Sequence, residues 1–145
     1  MSARNAVAAV LAVLLAVVVS GCGSSAGTSQ SGSGAAPAQL GEQIFTTGNG
    51  ASGYPLGVSS GPGGPCARCH GTDAKGAVGP DIRWSVLTGS ASSSHPPRFK
   101  LASEADFVTA ITTGEAAGNQ LLPRMPHYQL TPTEAAALAA YLKTL

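Results

Sequence analysis

Apolar side chains are spread unevenly along the chain, and their spacing divides it into three stretches. The first is an unbroken apolar run from Ala6 to Val19. From Gly23 to Ala38 there follows a stretch made almost entirely of Gly, Ser, Ala, Thr and Gln, which has nothing to bury and reads as flexible coil. Only beyond Gln39 do apolar positions recur with a helical period. Leu40, Ile44 and Phe45 fall on one face, with Gly41 a turn before Phe45, where a close helix contact would justify its cost. Ser103-Glu104-Ala105-Asp106 resembles a capping box opening a helix whose stripe is Phe107, Ala110 and Ile111, and Gly114 is placed to end it. In the last helix Thr131 is a natural N-cap, Pro132 fits the first position and Glu134 completes the box, ahead of Leu138, Tyr141, Leu142 and Leu145 at i, i+3, i+4, i+7. No stretch alternates as a strand does, so the expectation is an all-α domain over residues 39–145.

Two segments break the helical pattern. Thr46 to Pro65 holds too much Gly, Pro and Ser for a regular element and reads as an unusually long loop. Ser85 to Pro97 reads as a second polar loop.

The apolar run after Arg4 would span roughly 21 Å as a helix, short of a bilayer's hydrocarbon core, and reads as a signal h-region and not as a membrane anchor or core helix. Val19-Ser20-Gly21-Cys22 resembles the lipobox of bacterial lipoproteins. The resemblance implies a signal peptide over residues 1–21 and a lipidated Cys22 as the mature first residue; ordinary cleavage nearby would leave an unpaired exported thiol. Residues 22–38 then form a tether with a reach of about 20–24 Å. The expected location is the cell envelope, on the extracytoplasmic side of a bacterial membrane.

Composition sharpens this picture in one respect. The aromatics are Phe45, Tyr54, Trp84, Phe99, Phe107, Tyr128 and Tyr141, a thin supply for a core, and a chain with nineteen glycines and ten prolines would gain from a large apolar cofactor at its centre. Eight Lys/Arg against seven Asp/Glu give +1, with the cations scattered, which makes nucleic acid an unfavourable partner.

Candidate chemistry is concentrated in Cys66-Ala67-Arg68-Cys69-His70, the c-type haem attachment pattern. Thiols three residues apart lie on one side of a helical turn and reach the two vinyl groups of a haem, and the next histidine sits beneath the iron. A thioredoxin-like dithiol would want a preceding strand where Gly and Pro stand, a zinc site lacks a second ligand pair, and a disulfide would leave His70 unexplained. Attachment of this kind occurs outside the cytoplasm, in agreement with the N-terminus. Cysteine usage closes: Cys22 to lipid, Cys66 and Cys69 to one covalent haem c.

Taken together, Gly41–Phe45 (GEQIF), Cys66–Gly71 (CARCHG), Val78–Ile82 (VGPDI), Arg124–Tyr128 (RMPHY) and Ala137–Leu145 (ALAAYLKTL) resemble, in content and order, a class I single-haem cytochrome c. The resemblance implies a small helical fold around one haem, with terminal helices crossing near Gly41, Phe45 and Tyr141. It implies that the Pro80 carbonyl holds the Nδ1 proton of His70, and that Met125 is the sixth iron ligand. Composition points the same way, because Met125 is the only methionine besides Met1 and is stiffened by Pro126; its alternative is a core filler. His127 and His95 remain rival ligands. Trp84 and Tyr128 are candidates for the haem edge or a propionate, with an ordinary core role open for both. Arg83, Arg98 and Arg124 are possible propionate partners. The long loop before Cys66 departs from the family pattern.

The expected function is one-electron transfer between redox protein donor and acceptor, on a membrane through the lipid anchor. The alternatives are a haem enzyme with an open sixth position acting on a small oxidant such as peroxide, and an electron-entry subunit of a membrane respiratory complex.

Overall fold

The structure, a computed structural model, describes residues 35–116, 118–120 and 124–145. The expected signal run, lipobox and Cys22 lie outside the described residues. Among those described, no helix is long and apolar enough to cross a membrane.

Two helices at the ends of the described chain form the frame. Helix α1 runs Ala35–Thr47, beginning four residues before the periodicity placed it. Pro37 is tolerated because it falls in the first turn, where its missing N–H has no intrahelical partner to lose. Helix α5 runs Pro132–Leu142, with the expected reciprocal cap between Thr131 and Glu134. The two cross at Gly41, where a Cβ would overlap the Ala137 carbonyl and lie 2.7 Å from Tyr141 Cβ. Phe45 meets Tyr141 with ring centroids 5.4 Å apart. Ile44, Phe45, Leu138 and Leu142 are buried there, so the glycine lets two backbones approach and the core closes around them. Leu145, expected on this stripe, lies beyond the helix end and is exposed, because α5 stops at Leu142.

Between the terminal helices lie α2 (Ala67–His70), α3 (Trp84–Leu87) and α4 (Glu104–Thr113). In α4 the Ser103 hydroxyl accepts the Asp106 N–H at 3.2 Å, and Gly114 ends the helix in the left-handed region at φ 75°. Helix α3 corrects the expectation of an unbroken loop from Ser85 to Pro97: Val86 and Leu87 are buried, but one helical turn is too short for its period to show in sequence.

The all-α expectation also needs correction. Strand β1 (Gly57–Ser60) lies inside the supposed structureless loop and pairs antiparallel with β4 (His127–Gln129). Strands β2 (Glu115–Ala116) and β3 (Asn119–Gln120) form a short hairpin. None is long enough to alternate visibly, and β1 finds its partner far along the chain. The result is a helical domain with two small ribbons.

Candidate haem site

Pro65 leads into a single helical turn. The Cys66 carbonyl accepts the N–H groups of Cys69 (3.1 Å) and His70 (3.0 Å), and the Ala67 carbonyl accepts that of Gly71 (2.9 Å). Both thiols are free, and burial pushes the Cys66 thiol up to about 12, so it is protonated at neutral pH. Next to them, His70 is the most enclosed member of the motif at 6 % exposure.

The chain after His70 folds back to hold its ring. Gly76 N–H donates to the His70 carbonyl (2.8 Å), Gly79 N–H to the Cys69 carbonyl (2.7 Å) and Ile82 N–H to the Ala74 carbonyl (2.8 Å). This return brings the Pro80 carbonyl to 2.7 Å from His70 Nδ1. A carbonyl only accepts, so Nδ1 carries the proton and the lone pair is on Nε2. Burial pulls the imidazole below its usual pKa, partly opposed by the Pro80 bond, which keeps the ring neutral and able to ligate. Gly79 is required by space: a Cβ there would lie 2.9 Å from both Cε1 and Nδ1 of His70.

His70, Cys66 and Cys69 open onto one cavity of ≈ 800 Å³, continuous in its lining with a second lobe of ≈ 380 Å³. His70, Pro80, Ile82, Phe107, Ile111 and Met125 line both lobes. The terminal helices contribute Phe45, Leu138 and Leu142, while Phe99 and Leu101 close the smaller lobe. Such volumes lie within about 300–1,000 Å³, the range of cofactor and ligand sites. The donor set fits a covalently held haem: two thiols on one turn, a neutral imidazole with its lone pair available, a thioether on the shared wall, and apolar side chains around them.

Of the remaining expected site residues, Tyr128 lines the larger lobe and its hydroxyl donates to the Gly64 carbonyl at 2.6 Å. Burial pushes its phenol well above the usual range. Trp84, expected at the haem pocket, does not line the cavity: it packs edge-on against Phe107, centroids 5.9 Å apart, with Lys143 Nζ over its ring at 4.8 Å from the centre. Its place is behind the wall, because Phe107 already fills the position facing the cavity. His95 and His127 also do not line it; His95 is exposed, and His127 packs against Gly114 at the end of α4.

Arg98 and Arg124 border the cavity, whereas Arg83 is committed elsewhere, its guanidinium bonding the fully buried Asp81 at 2.7 Å. Sequence reasoning missed this buried pair and the apolar wall of Phe99, Leu101 and Ile82. Nothing local distinguishes such wall residues from ordinary core; for Asp81 the only signal is an arginine two residues on.

A family model described as cytochrome c matches residues 38–145 of the chain. No curated protein and no solved structure matches it.

Proposed function

The chain belongs to the cytochrome c family, whose membership implies a covalently bound c-type haem, and from that premise we propose that it is a one-electron carrier with a single haem ligated by His70 and Met125. The observation that carries this reading is the shared wall: His70, Met125 and both cysteines line one apolar cavity, and neither of the other histidines does. Bound haem supplies an iron that gains and loses one electron. Cys66 and Cys69 hold the macrocycle by thioether bonds. His70, its Nδ1 proton kept by Pro80, presents Nε2 in a fixed orientation. Met125, on the wall it shares with His70, would supply the second protein ligand and deny the iron to small oxidants, which separates a carrier from an open-site enzyme. Phe45, Phe107, Ile111, Leu138 and Leu142 exclude water, and Arg98 and Arg124, which border the cavity, would supply cations for haem propionates. Histidine–methionine ligation raises the potential relative to two histidines, so the carrier is a relatively oxidising one.

The same reading places the domain in the cell envelope. Its support is the Ala6–Val19 run, the lipobox-like Val19-Ser20-Gly21-Cys22 and the polar stretch after it, which together suit a lipid anchor on Cys22 and a domain free to meet redox partners.

An optical spectrum in both redox states, with the mass of the denatured protein, tests the proposal. One retained haem and a weak long-wavelength ferric band are expected. An unmodified polypeptide mass after expression with a working maturation system overturns it, as does ready carbon monoxide binding with peroxide turnover.

A further inference from the structure

The segment between α1 and Cys66 is fastened more heavily than a connector requires. Its first half is tied to both terminal helices. Gly48 N–H donates to the Ile44 carbonyl at 2.9 Å, and Leu56 N–H returns to the Gly48 carbonyl at 2.9 Å. Gln43 Nε2 donates to the Gly50 carbonyl at 2.9 Å, and Ala51 N–H to Glu134 Oε1 at 2.7 Å. Glu134 thereby serves two purposes, capping α5 and gripping the segment.

The second half is tied to the stretch that carries Met125. In the β1–β4 ribbon Gly57 faces Gln129, Val58 faces Tyr128 and Ser60 faces His127, with an irregularity between Val58 and Ser60. Gly61 then passes so close that a Cβ would lie 2.9 Å from Pro126 Cα and 3.3 Å from the Met125 carbonyl oxygen. Gly61 has φ +83°, a conformation that favours glycine. Tyr128 closes the arrangement by donating to Gly64, two residues before Cys66.

We propose that residues 48–65 are a strap that positions Met125, with Tyr128 and Gly61 as positioning residues acting through the backbone on either side of Pro126. The proposal rests on Met125 being the iron ligand. A thioether is a weak ligand, so its hold depends on how far its backbone can move once the bond opens. The strap joins the haem-attachment turn to the Met125 segment, so the two move as one body and a released sulfur stays near its place.

The test uses the ferric holoprotein and two readouts, the rate at which added imidazole displaces the native ligand and the alkaline pH at which the long-wavelength band is lost. Tyr128→Phe keeps the ring on the cavity wall but removes the bond to Gly64, and Gly61→Ala presses on Pro126. Each should speed imidazole entry about tenfold, the equivalent of one hydrogen bond. Band loss should come about one pH unit earlier, the same factor expressed as a proton equilibrium. Ser103→Ala removes the N-cap of α4, a bond made by neither the strap nor the Met125 segment, and should leave the imidazole rate near wild type. Equal acceleration by Ser103→Ala, or wild-type rates in both strap variants, overturns the strap while Met125 ligation stands. Absence of the band in the wild type overturns Met125 ligation and the strap together.

Discussion

Arg83 holds the carboxylate of Asp81 in a fork, with Nε 3.1 Å from Oδ1 and the terminal nitrogen 2.7 Å from Oδ2. The aspartate side chain is 1 % exposed and the arginine 22 %, so one end of the pair is sealed and the other wet. Asp81 N–H also donates to the His95 carbonyl at 2.7 Å, tying the Pro80 segment to the polar loop beyond α3. A buried charge thus fixes the backbone next to the carbonyl that orients His70.

This pair predicts acid sensitivity. Burial alone would raise the Asp81 carboxyl, but the bonds from Arg83 and Ser93 outweigh it and hold the group below its ordinary value. A folded-state pKa below the unfolded one means that the stabilisation is fully present above about pH 4 and is lost as pH falls through the folded value. Asp81→Asn should cost about 2 kcal/mol at neutral pH, as expected for a lost charge-assisted bond, and flatten the acid limb. Denaturant unfolding from pH 7 downward measures both.

Glycine at the helix crossing predicts a packing defect. Gly41→Ala puts a methyl group into the Ala137 carbonyl, which belongs to a helix backbone and cannot rotate away. The helices must separate, at about 2 kcal/mol or more. Thermal unfolding should show the loss, with the covalent haem still attached.

The proposed ligation by Met125 predicts an opened iron once the thioether is removed. Met125→Ala should abolish the long-wavelength ferric band, lower the reduction potential and confer binding of carbon monoxide or cyanide. An unchanged spectrum would send the search for the sixth ligand elsewhere and return the enzyme reading to consideration.

The proposed lipid anchor on Cys22 predicts a change of compartment and not of chemistry. Cys22→Ser should release a spectrally normal cytochrome from membranes, since a single acyl chain holds only weakly and none holds not at all. Continued tight membrane association of that variant would point to an uncleaved helix or a protein anchor.

The features legible in sequence are those settled within a few residues. Thr131 with Glu134, Ser103 with Asp106 and Gly114 as a helix stop are local bargains between side chain and backbone, so their spacing shows. The CxxCH turn is local in the same sense. The bond from His70 to Pro80 was reachable only through family resemblance, because it depends on how the intervening turn returns. What could not be read was set by distant partners. Val58 becomes a strand residue because Tyr128 is beside it, and Ala51 is held because Glu134 has an oxygen left over from its cap. Trp84 has the composition of a cofactor neighbour, yet Phe107 occupies the place in front of it.

The crossing of α1 on α5 also makes the cavity a long-range product of the chain. Cys66 and Cys69 lie on one local turn, but part of the wall that faces them is built from Leu138 and Leu142, far along the sequence. Bringing such distant stretches together costs the entropy of the chain between them. The attachment turn can therefore be written locally, whereas the enclosure around it exists only where α5 rests on α1.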